Sequence, residues 1–530
     1  MPMNRRDLVL RLMAAGGGSL LAPLAARAQE SSARWHAQFE ASQVPWKPAF
    51  ATAAADFPLT AASVRGRFPD AVTGTLYRVG PAGHVLGGER NQHWFDGDGM
   101  AHRFVIEGST VHHQGRYVVT AKRLAEVRAG RRLAEGFGTV FPGREPPSVP
   151  DSMNAANISM LPVGDDVLAL WEGGSAMRLD PRTLETRGLK TWRADLAGVP
   201  FSAHPRVEPD GTIWNFGVDA HHGLLLLYEI GRDGGLRRAE VFPLSDMPMV
   251  HDFAVTTRHL VFLLPPLVYD ARRRSAGASV LDSYQWRPEL GMRVLVVRKQ
   301  DWKQQQLFHL PVGFLFHLGN AWEERGANGT VIHLDYARAA DASGVLTDTR
   351  EVMRARLAGT AGPVLTVARL DLRTGKATQT SLGVEAEFPR IDPRRVGLRH
   401  RHVVHATGTQ GGLPLWGAIA CTNVETGGVA ALLLQPPCAG GGACLGARRA
   451  RPRLGDRHHP GLRPEENLAV VFRCRRTGRR PGGAGHAAVC AAAGAARGVC
   501  GGLMHPMTGF QWARLASASG AVSHTSQGAQ

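Results

Sequence analysis

The chain has 530 residues, enough for roughly two or three average domains or for one large all-β unit. Its formal net charge is +17, but much of the excess follows residue 445, so a nucleic-acid partner is not expected for the body of the protein. All six cysteines lie at or after Cys421 and none has CxxC spacing, which excludes a zinc ribbon or a thiol redox centre from the preceding residues.

Residues 1–28 have the pattern of an export signal. Two arginines at positions 5 and 6 precede a moderately apolar stretch, and Ala26-Arg27-Ala28 offers a cleavage site. An ordinary secretory signal or a membrane anchor is the alternative, but Arg11 and the glycines at positions 16–18 make the apolar stretch too weak for a stable span. We therefore predict twin-arginine export of a folded protein to the periplasm.

The body of the chain reads as short strands separated by turns. Residues 74–81 form the first strand-like run and end in Gly-Pro. The Asp-Gly-Asp-Gly segment at 96–99 is typical of tight turns, and it lacks the acidic spacing of an EF-hand calcium loop. Many short strands predict a sandwich, a barrel or a propeller.

A recurring turn favours the propeller among these folds. An apolar-Asp-x-x-Thr pattern closes strands at residues 180–183 and 371–374, and a weaker version appears at 423–426. Radial repetition of one sheet is the usual source of such self-similarity. The pattern fades near residue 436, and residues 436–530 are unusually rich in arginine, alanine and glycine. A basic tail that binds polyanions is one interpretation of that region.

Three histidines share a setting that suits metal ligation. His204, His251 and His317 each lie beside apolar or aromatic, strand-like residues, and each belongs to a different segment. Any one of the 22 histidines alone would more often be a surface or core residue. Convergence of three imidazoles would suit zinc, copper or iron.

Three glutamates lie in similar settings: Glu172, Glu323 and Glu387. A ligating histidine usually donates its second N–H to such a carboxylate, which fixes the tautomer and the ring orientation. Ion pairing with nearby arginines such as Arg390 is the alternative role.

At these residues the chain resembles the carotenoid cleavage oxygenase family, which includes carotenoid and apocarotenoid oxygenases, lignostilbene dioxygenases and the vertebrate retinoid isomerase. The resemblance covers about residues 45–430. The matching motifs occur in family order at residues 76–81, 93–100, 157, 172–174, 201–205, 251–253, 316–324 and 387–392.

The resemblance implies an all-β fold, a seven-bladed β-propeller over residues 45–435, with a cap of loops and short helices over a substrate tunnel. It implies one Fe(II) per chain held by four histidines, of which His204, His251 and His317 match three. Glu172 and Glu387 match carboxylates behind the ligands, and Glu323 is a third candidate. The implied reaction is O₂-dependent cleavage of a conjugated C=C bond in an apolar polyene or stilbene, giving two carbonyl products. A monomer with peripheral membrane contact for substrate uptake would suit such substrates.

The sequence departs from the family at its C-terminal end. Members carry a final Gly-Phe-His-Gly whose histidine is the fourth ligand, and it is absent here. His505 is the nearest substitute, with His486 a weaker one. A reading-frame shift at about residues 430–445 would explain both the lost motif and the changed composition.

The alternative function is a catalytically impaired propeller homologue without the fourth ligand. A propeller hydrolase is disfavoured, because it would cluster carboxylates rather than histidines. Lys122 could contact a phenolic hydroxyl, although a solvated lysine is the commoner role.

Overall fold

The computed structural model describes residues 32–65, 68, 72–141, 149–327, 329–409, 416–433, 469–473, 487–492 and 511–513. The predicted signal at residues 1–28 lies outside the described residues, as does most of the stretch 436–530. Strands dominate the described residues, and they form one seven-stranded sheet, five four-stranded sheets and two short ribbons. The six larger sheets are the blades of an all-β propeller.

The first blade alternates buried and exposed positions as a half-buried sheet requires. Val111, His113 and Tyr117 are buried along one of its strands, whereas their neighbours are more exposed. The strands are β1 (Phe57–Arg65), β2 (Gly74–Gly83), β5 (Asp98–Glu107) and β6 (Thr110–Tyr117), and a ribbon pairs β3 (Val85–Leu86) with β4 (Glu89–Arg90).

The next three blades are antiparallel four-stranded sheets, each of which follows the previous one along the chain. The second blade contains β7 (Ser159–Val163), β8 (Asp166–Leu170), β9 (Met177–Leu179) and β10 (Thr186–Leu189). The third contains β11 (Arg206–Val207), β12 (Ile213–Asp219), β13 (Leu224–Ile230) and β14 (Leu236–Pro243). The fourth contains β15 (Ala254–Val255), β16 (His259–Leu264), β19 (Met292–Arg298) and β20 (Gln305–Leu310), with a ribbon of β17 (Leu267–Tyr269) and β18 (Tyr284–Trp286).

The last two blades repeat this plan. The fifth contains β21 (Leu318–Gly326), β22 (Gly329–Arg338), β23 (Val364–Asp371) and β24 (Ala377–Glu385). The sixth contains β25 (Glu387–Arg390), β26 (His402–Thr409), β27 (Trp416–Asn423) and β28 (Val429–Leu433).

The described residues form six blades, so the expectation of seven is corrected for this part of the chain. Beyond residue 433 the described strands are β29 (Ala469–Arg473), β30 (Ala487–Ala492) and β31 (Gln511–Ala513). They extend the first blade rather than form a separate sheet, because β30 pairs with β1 and β31 pairs with β2. The strand pattern has faded in this stretch, so its short strands depend on the open edges of an existing sheet for their backbone hydrogen bonds.

The core lies between adjacent blades. Phe216 of the third blade meets Phe262 of the fourth edge-to-face, with ring centroids 5.5 Å apart. Val294 of the fourth blade and Leu334 of the fifth belong to another fully buried cluster. Because both faces of such a blade are covered, its strands are apolar on both sides, as in Leu224–Ile230.

A cap of short helices and loops packs at one side of the blades. Helix α1 (Ser32–Ala41) buries Trp35 and Phe39 against Trp94 and Met353, and the guanidinium of Arg90 lies 3.4 Å from the centre of the Phe39 ring. The helices are α1 (Ser32–Ala41), α2 (Ala121–Ala129), α3 (Ala271–Ser275) and α4 (Thr349–Glu351). Short 3₁₀ turns occupy Lys47–Phe50, Trp94–Asp96, Pro150–Met153, Ala194–Leu196, Leu281–Ser283, Pro288–Leu290, Val352–Arg354 and Pro393–Arg395, and a π-helical turn spans Gly344–Asp348. In the part of the chain that the structure covers, we find no helix with the length and apolarity of a membrane span.

A buried ion cluster anchors α2 to the first blade. The Lys122 ammonium lies 2.8 Å from Asp98 and 3.1 Å from Glu126, and Arg132 lies 3.2 Å and 2.9 Å from the same two carboxylates. Lys122 is therefore not solvated, because both carboxylates hold its ammonium inside the protein, and its contact with a phenolic hydroxyl stays a prediction.

Candidate metal centre

The three predicted histidines occupy equivalent places in three successive blades. His204 lies two residues before β11, His251 lies three residues before β15, and His317 immediately precedes β21. Each of these strands is the first strand of its blade. Segments at the same position in neighbouring blades converge in a radially repeated fold, so residues far apart in sequence meet at one point.

The convergence brings the imidazoles within reach of a single ion. One ring nitrogen from each of His204, His251 and His317 lies within 4.8 Å of the other two. The Nε2 atoms of His204 and His251 are 2.9 Å apart, and the ring of His317 is centred 5.1 Å from each of the other rings. All three side chains are buried. Buried nitrogens that face one another at this distance are a donor arrangement suited to a metal ion.

Two glutamates hold the other side of two of the rings. The Glu387 carboxylate lies 2.6 Å from Nδ1 of His317, and the Glu172 carboxylate contacts Nδ1 of His251. A carboxylate at Nδ1 favours the tautomer that protonates this nitrogen and leaves Nε2 as the ligand atom. The two contacts therefore point the Nε2 lone pairs towards the centre of the cluster.

The electrostatic surroundings differ between the rings. Burial, reinforced by the neighbouring His251 and His317, holds the pKa of His204 well below its usual range. Burial also disfavours the charged form of His251, but Glu172 outweighs it and raises the pKa of this ring. His204 is thus neutral at physiological pH, as a ligand must be, whereas a proton competes more effectively for His251.

Aromatic rings line the cluster on one side. Phe316 meets His251 edge-to-face with ring centroids 5.0 Å apart, and Phe95 lies 5.9 Å from Phe316. Phe388 lies 4.8 Å from His317. Its φ of 54° is left-handed, which is strained for a bulky residue. Phe316 also joins an apolar cluster formed by Met249, Leu267, Leu281, Tyr284, Phe314, Ala342 and Val345. The approach to the imidazoles on this side is therefore largely apolar.

Glu323 does not lie at the histidine cluster. It belongs to β21, and its carboxylate lies 2.9 Å from Nδ1 of His259 and accepts hydrogen bonds from Thr256 and from the backbone N–H of Arg258. Burial alone would raise the pKa of Glu323, but these hydrogen bonds outweigh it and lower the pKa to about 2. Its side chain is directed to the adjacent fourth blade, so the structure does not support it as a carboxylate behind a ligand.

The remaining predicted ligand falls outside the described residues. His505 and its weaker substitute His486 both lie in the stretch after residue 473 for which only short strands are described. Their role as a fourth ligand stays a prediction.

Sequence reasoning missed Asp252 and Arg206. Both are neighbours of predicted ligands, and they form an ion pair in which Arg206 Nη2 lies 2.8 Å and 2.7 Å from the two carboxylate oxygens of Asp252. The signal available in the sequence was an acidic residue directly after His251 and a basic residue two positions after His204.

The cluster fits a transition-metal ion better than a hard cation. Three neutral imidazoles suit iron, zinc or copper, whereas magnesium and calcium prefer oxygen ligands. Two ligand rings already have the carboxylate partner that ligating histidines normally have. His204, His251 and His317 would hold the ion.

The chain is similar to one protein family over most of its length. The family model described as RPE65, retinal pigment epithelial membrane protein, matches residues 50–450. Apocarotenoid-15,15'-oxygenase from Synechocystis is 34% identical over 281 residues, which are 50% of this chain and 56% of that protein. Resveratrol cleavage oxygenase 1 from Aspergillus fumigatus is 30% identical over 268 residues, 49% of this chain and 53% of that protein. The chain thus spans a little over half the length of each of these relatives.

Solved structures share the architecture. The structure of cobalt-substituted apocarotenoid oxygenase from Synechocystis aligns with a TM-score of 0.64 and 25% identity, and the alignment covers 83% of this chain and 88% of that one. A protein with this fold has therefore been solved with cobalt in its metal site.

Proposed function

Because the chain belongs to the family of retinal pigment epithelial membrane protein, we propose that it is an Fe(II)-dependent dioxygenase. In this proposal it uses O₂ to cleave a conjugated C=C bond of an apolar substrate into two carbonyl products. The observation that carries the proposal is the meeting of His204, His251 and His317, with Glu387 and Glu172 at the second nitrogens of two rings. Relatives named as an apocarotenoid oxygenase and a resveratrol cleavage oxygenase support the reaction class.

The protein's own contribution is positioning and exclusion of water. Bound iron would supply the electrons that O₂ activation needs. Glu172 and Glu387 fix the tautomer and orientation of His251 and His317, and burial keeps His204 neutral. The rings of Phe316 and Phe95 would keep the reacting bond in apolar surroundings, so substrate selection depends on shape and contact rather than on charge. In this reaction no side chain has to serve as a nucleophile or as a general base.

We infer the substrate class from the apolar residues beside the three histidines. The apolar cluster next to Phe316 consists of aliphatic and aromatic residues, which suits a polyene or a stilbene. Carotenoid, apocarotenoid and stilbene substrates are all compatible with such an apolar cluster, and assays with one substrate of each class would distinguish them. We further propose that the protein is monomeric, that it is exported by its twin-arginine pattern, and that it takes up substrate at a membrane surface.

The fourth ligand is the part of the proposal that depends on the C-terminal stretch. His505 is our candidate. The frame-shift hypothesis competes with it: if another reading frame of the coding DNA beyond about residue 430 encodes Gly-Phe-His-Gly, the histidine of that motif is the intended ligand. If neither alternative frame encodes this motif, the hypothesis is wrong.

Iron content tests the proposed function directly. Wild type, His251→Ala and His333→Ala would be purified with Fe(II) under low oxygen. His333 is a matched control, since its ring stacks on Trp322 and pairs with Glu324 rather than with the cluster. We expect close to one iron per chain in the wild type and in His333→Ala, and little in His251→Ala. A folded wild type without iron would refute an active oxygenase and favour the impaired homologue.

A further inference from the structure

A buried ion pair lies directly behind the three histidines. Arg206 follows His204 by two residues, and Asp252 follows His251 by one. The guanidinium Nη2 lies 2.8 Å from Oδ1 and 2.7 Å from Oδ2 of the carboxylate. The Asp252 side chain is only 3% exposed and that of Arg206 is 13% exposed, so solvent screens the pair weakly. The pair joins the first strand of the third blade to the segment that precedes the first strand of the fourth.

The same pair also holds the segment of the third histidine. Asp252 Oδ2 accepts a 2.8 Å hydrogen bond from the backbone N–H of Leu318, the residue after His317. Arg206 donates to the carbonyl oxygens of Leu318 at 3.0 Å and Gly319 at 3.2 Å.

On the fourth blade the pair bonds the backbone of Phe253. Asp252 Oδ1 accepts from its N–H at 2.8 Å, and Arg206 Nε donates to its carbonyl oxygen at 2.6 Å. Two side chains therefore hydrogen-bond to backbone groups within two residues of His251 and His317, and one of them is itself two residues from His204.

We propose that the Arg206–Asp252 pair is a positioning device that sets the spacing of the three imidazoles, an inference that rests on the proposed function. A buried ion pair need not add net stability, because removing both charges from water costs about as much as their attraction returns. Its effect on geometry is different. The guanidinium is planar and rigid, and all of its partners here are backbone groups or the carboxylate of Asp252. The pair thus fixes the distances between the three backbone segments that carry His204, His251 and His317.

A metal site is sensitive to such distances. Protein ligands lie within about 0.2 Å of the ideal metal–nitrogen distance, so a shift of a few tenths of an ångström between blades weakens binding even where the fold persists. Glu387 and Glu172 orient individual rings, whereas this pair places the segments relative to one another.

The third and fourth blades offer a matched control for this pair. Glu208 lies 2.7 Å from the ammonium of Lys299 and accepts from the indole N–H of Trp214. This pair also joins blade to blade and is largely buried, but among the described residues its side chains form no hydrogen bond with the backbone beside His204, His251 or His317. Its removal should therefore report the cost of losing an interblade ion pair alone.

The experiment measures Co(II) affinity and the visible absorption of the Co(II) form for wild type, Asp252→Asn, Arg206→Lys and Glu208→Gln, together with thermal stability. Asn keeps the size of Asp but presents an amide N–H₂ to the guanidinium. Lys keeps the charge but cannot contact the carboxylate and three carbonyls together. We expect Asp252→Asn and Arg206→Lys to weaken Co(II) binding by at least about tenfold and to change the absorption bands. Glu208→Gln should lower thermal stability and leave affinity and spectrum as in the wild type.

Two results would overturn the inference while the proposed function stands. One is wild-type affinity and spectrum in folded Arg206→Lys and Asp252→Asn. The other is an equal loss of affinity in Glu208→Gln. If Asp252→Asn does not fold, Arg206→Lys decides, because it preserves the opposite charges. Failure of the wild type to bind Co(II) at all would instead refute the proposed function, and this inference with it.

Discussion

Glu387 gives the most direct measure of how the protein tunes the candidate metal site. Its Oε2 atom lies 2.6 Å from Nδ1 of His317 and accepts from the backbone N–H of Phe388 at 2.5 Å. Because one oxygen makes both contacts, Glu387→Gln can retain both with its amide oxygen and lose only the charge. Glu387→Ala loses the contacts as well.

The expected sizes follow from hydrogen-bond energies. A hydrogen bond to a charged group contributes about 1.5–3 kcal/mol and a neutral one about 0.5–1.5 kcal/mol. The charge alone is therefore worth about 1–1.5 kcal/mol, which corresponds to roughly tenfold in metal affinity. Loss of the whole contact should reach about a hundredfold, the upper end for outer-shell partners of metal ligands.

The assay is titration of metal-free protein with Fe(II) under low oxygen, or with Co(II) in air. Glu323→Gln is the control, since Glu323 contacts His259 in the fourth blade rather than the cluster. We expect about tenfold weaker binding in Glu387→Gln, about a hundredfold in Glu387→Ala, and no change in Glu323→Gln. Wild-type affinity in Glu387→Ala, or an equal loss in Glu323→Gln, would refute the reasoning.

Three further predictions concern charge. Glu172 raises the pKa of His251, so Glu172→Gln should lower the pKa of this imidazole in the metal-free protein, measured by NMR titration of the ring; an unchanged pKa would contradict this. The pKa of Glu323 is lowered from 4.5 to about 2 in the folded state, so its contribution to stability is present above pH 4.5 and is lost as the pH falls towards 2. Urea unfolding between these limits should show a weaker pH dependence in Glu323→Gln than in the wild type, and identical slopes would disprove it. Lys122→Met leaves the buried carboxylates of the α2 cluster with one cation fewer, which should destabilise the protein by about 3 kcal/mol; a change below about 1 kcal/mol in denaturant unfolding would show that the cluster relaxes or hydrates.

Part of the fold could be predicted from the sequence because it depends on local sequence patterns. Strand-like runs separated by turns predicted short strands, and the recurring Asp-x-x-Thr turn favoured a propeller; both the strands and the all-β propeller are confirmed. At residues 371–374 the predicted turn chemistry is present, since Asp371 accepts from the backbone N–H groups of Arg373 and Thr374. Contacts over two or three residues are fixed by local geometry, so the sequence determines them without knowledge of the blades.

The blade number was not readable in this way. Seven blades were implied by resemblance, but the described part of the chain forms six, because β30 and β31 pair with the open edges of the first blade. Which edge a short strand joins depends on the sheets already present and not on its own sequence.

In the candidate site, too, the sequence identified the residues and the tertiary structure set their contacts. By itself the sequence singled out His204, His251 and His317 and three candidate glutamates, because each of them lies in a motif of adjacent residues. Only the tertiary structure decided their partners. Glu387 contacts His317, which is 70 residues away in the sequence, and Glu172 contacts His251. Glu323 contacts His259 instead of a histidine of the cluster. It also decided that Asp252, adjacent to a predicted ligand but unremarkable in sequence, bonds the segments of all three histidines. The physical reason is that these distances are set by the packing of one blade on the next, and no spacing along the chain encodes that packing.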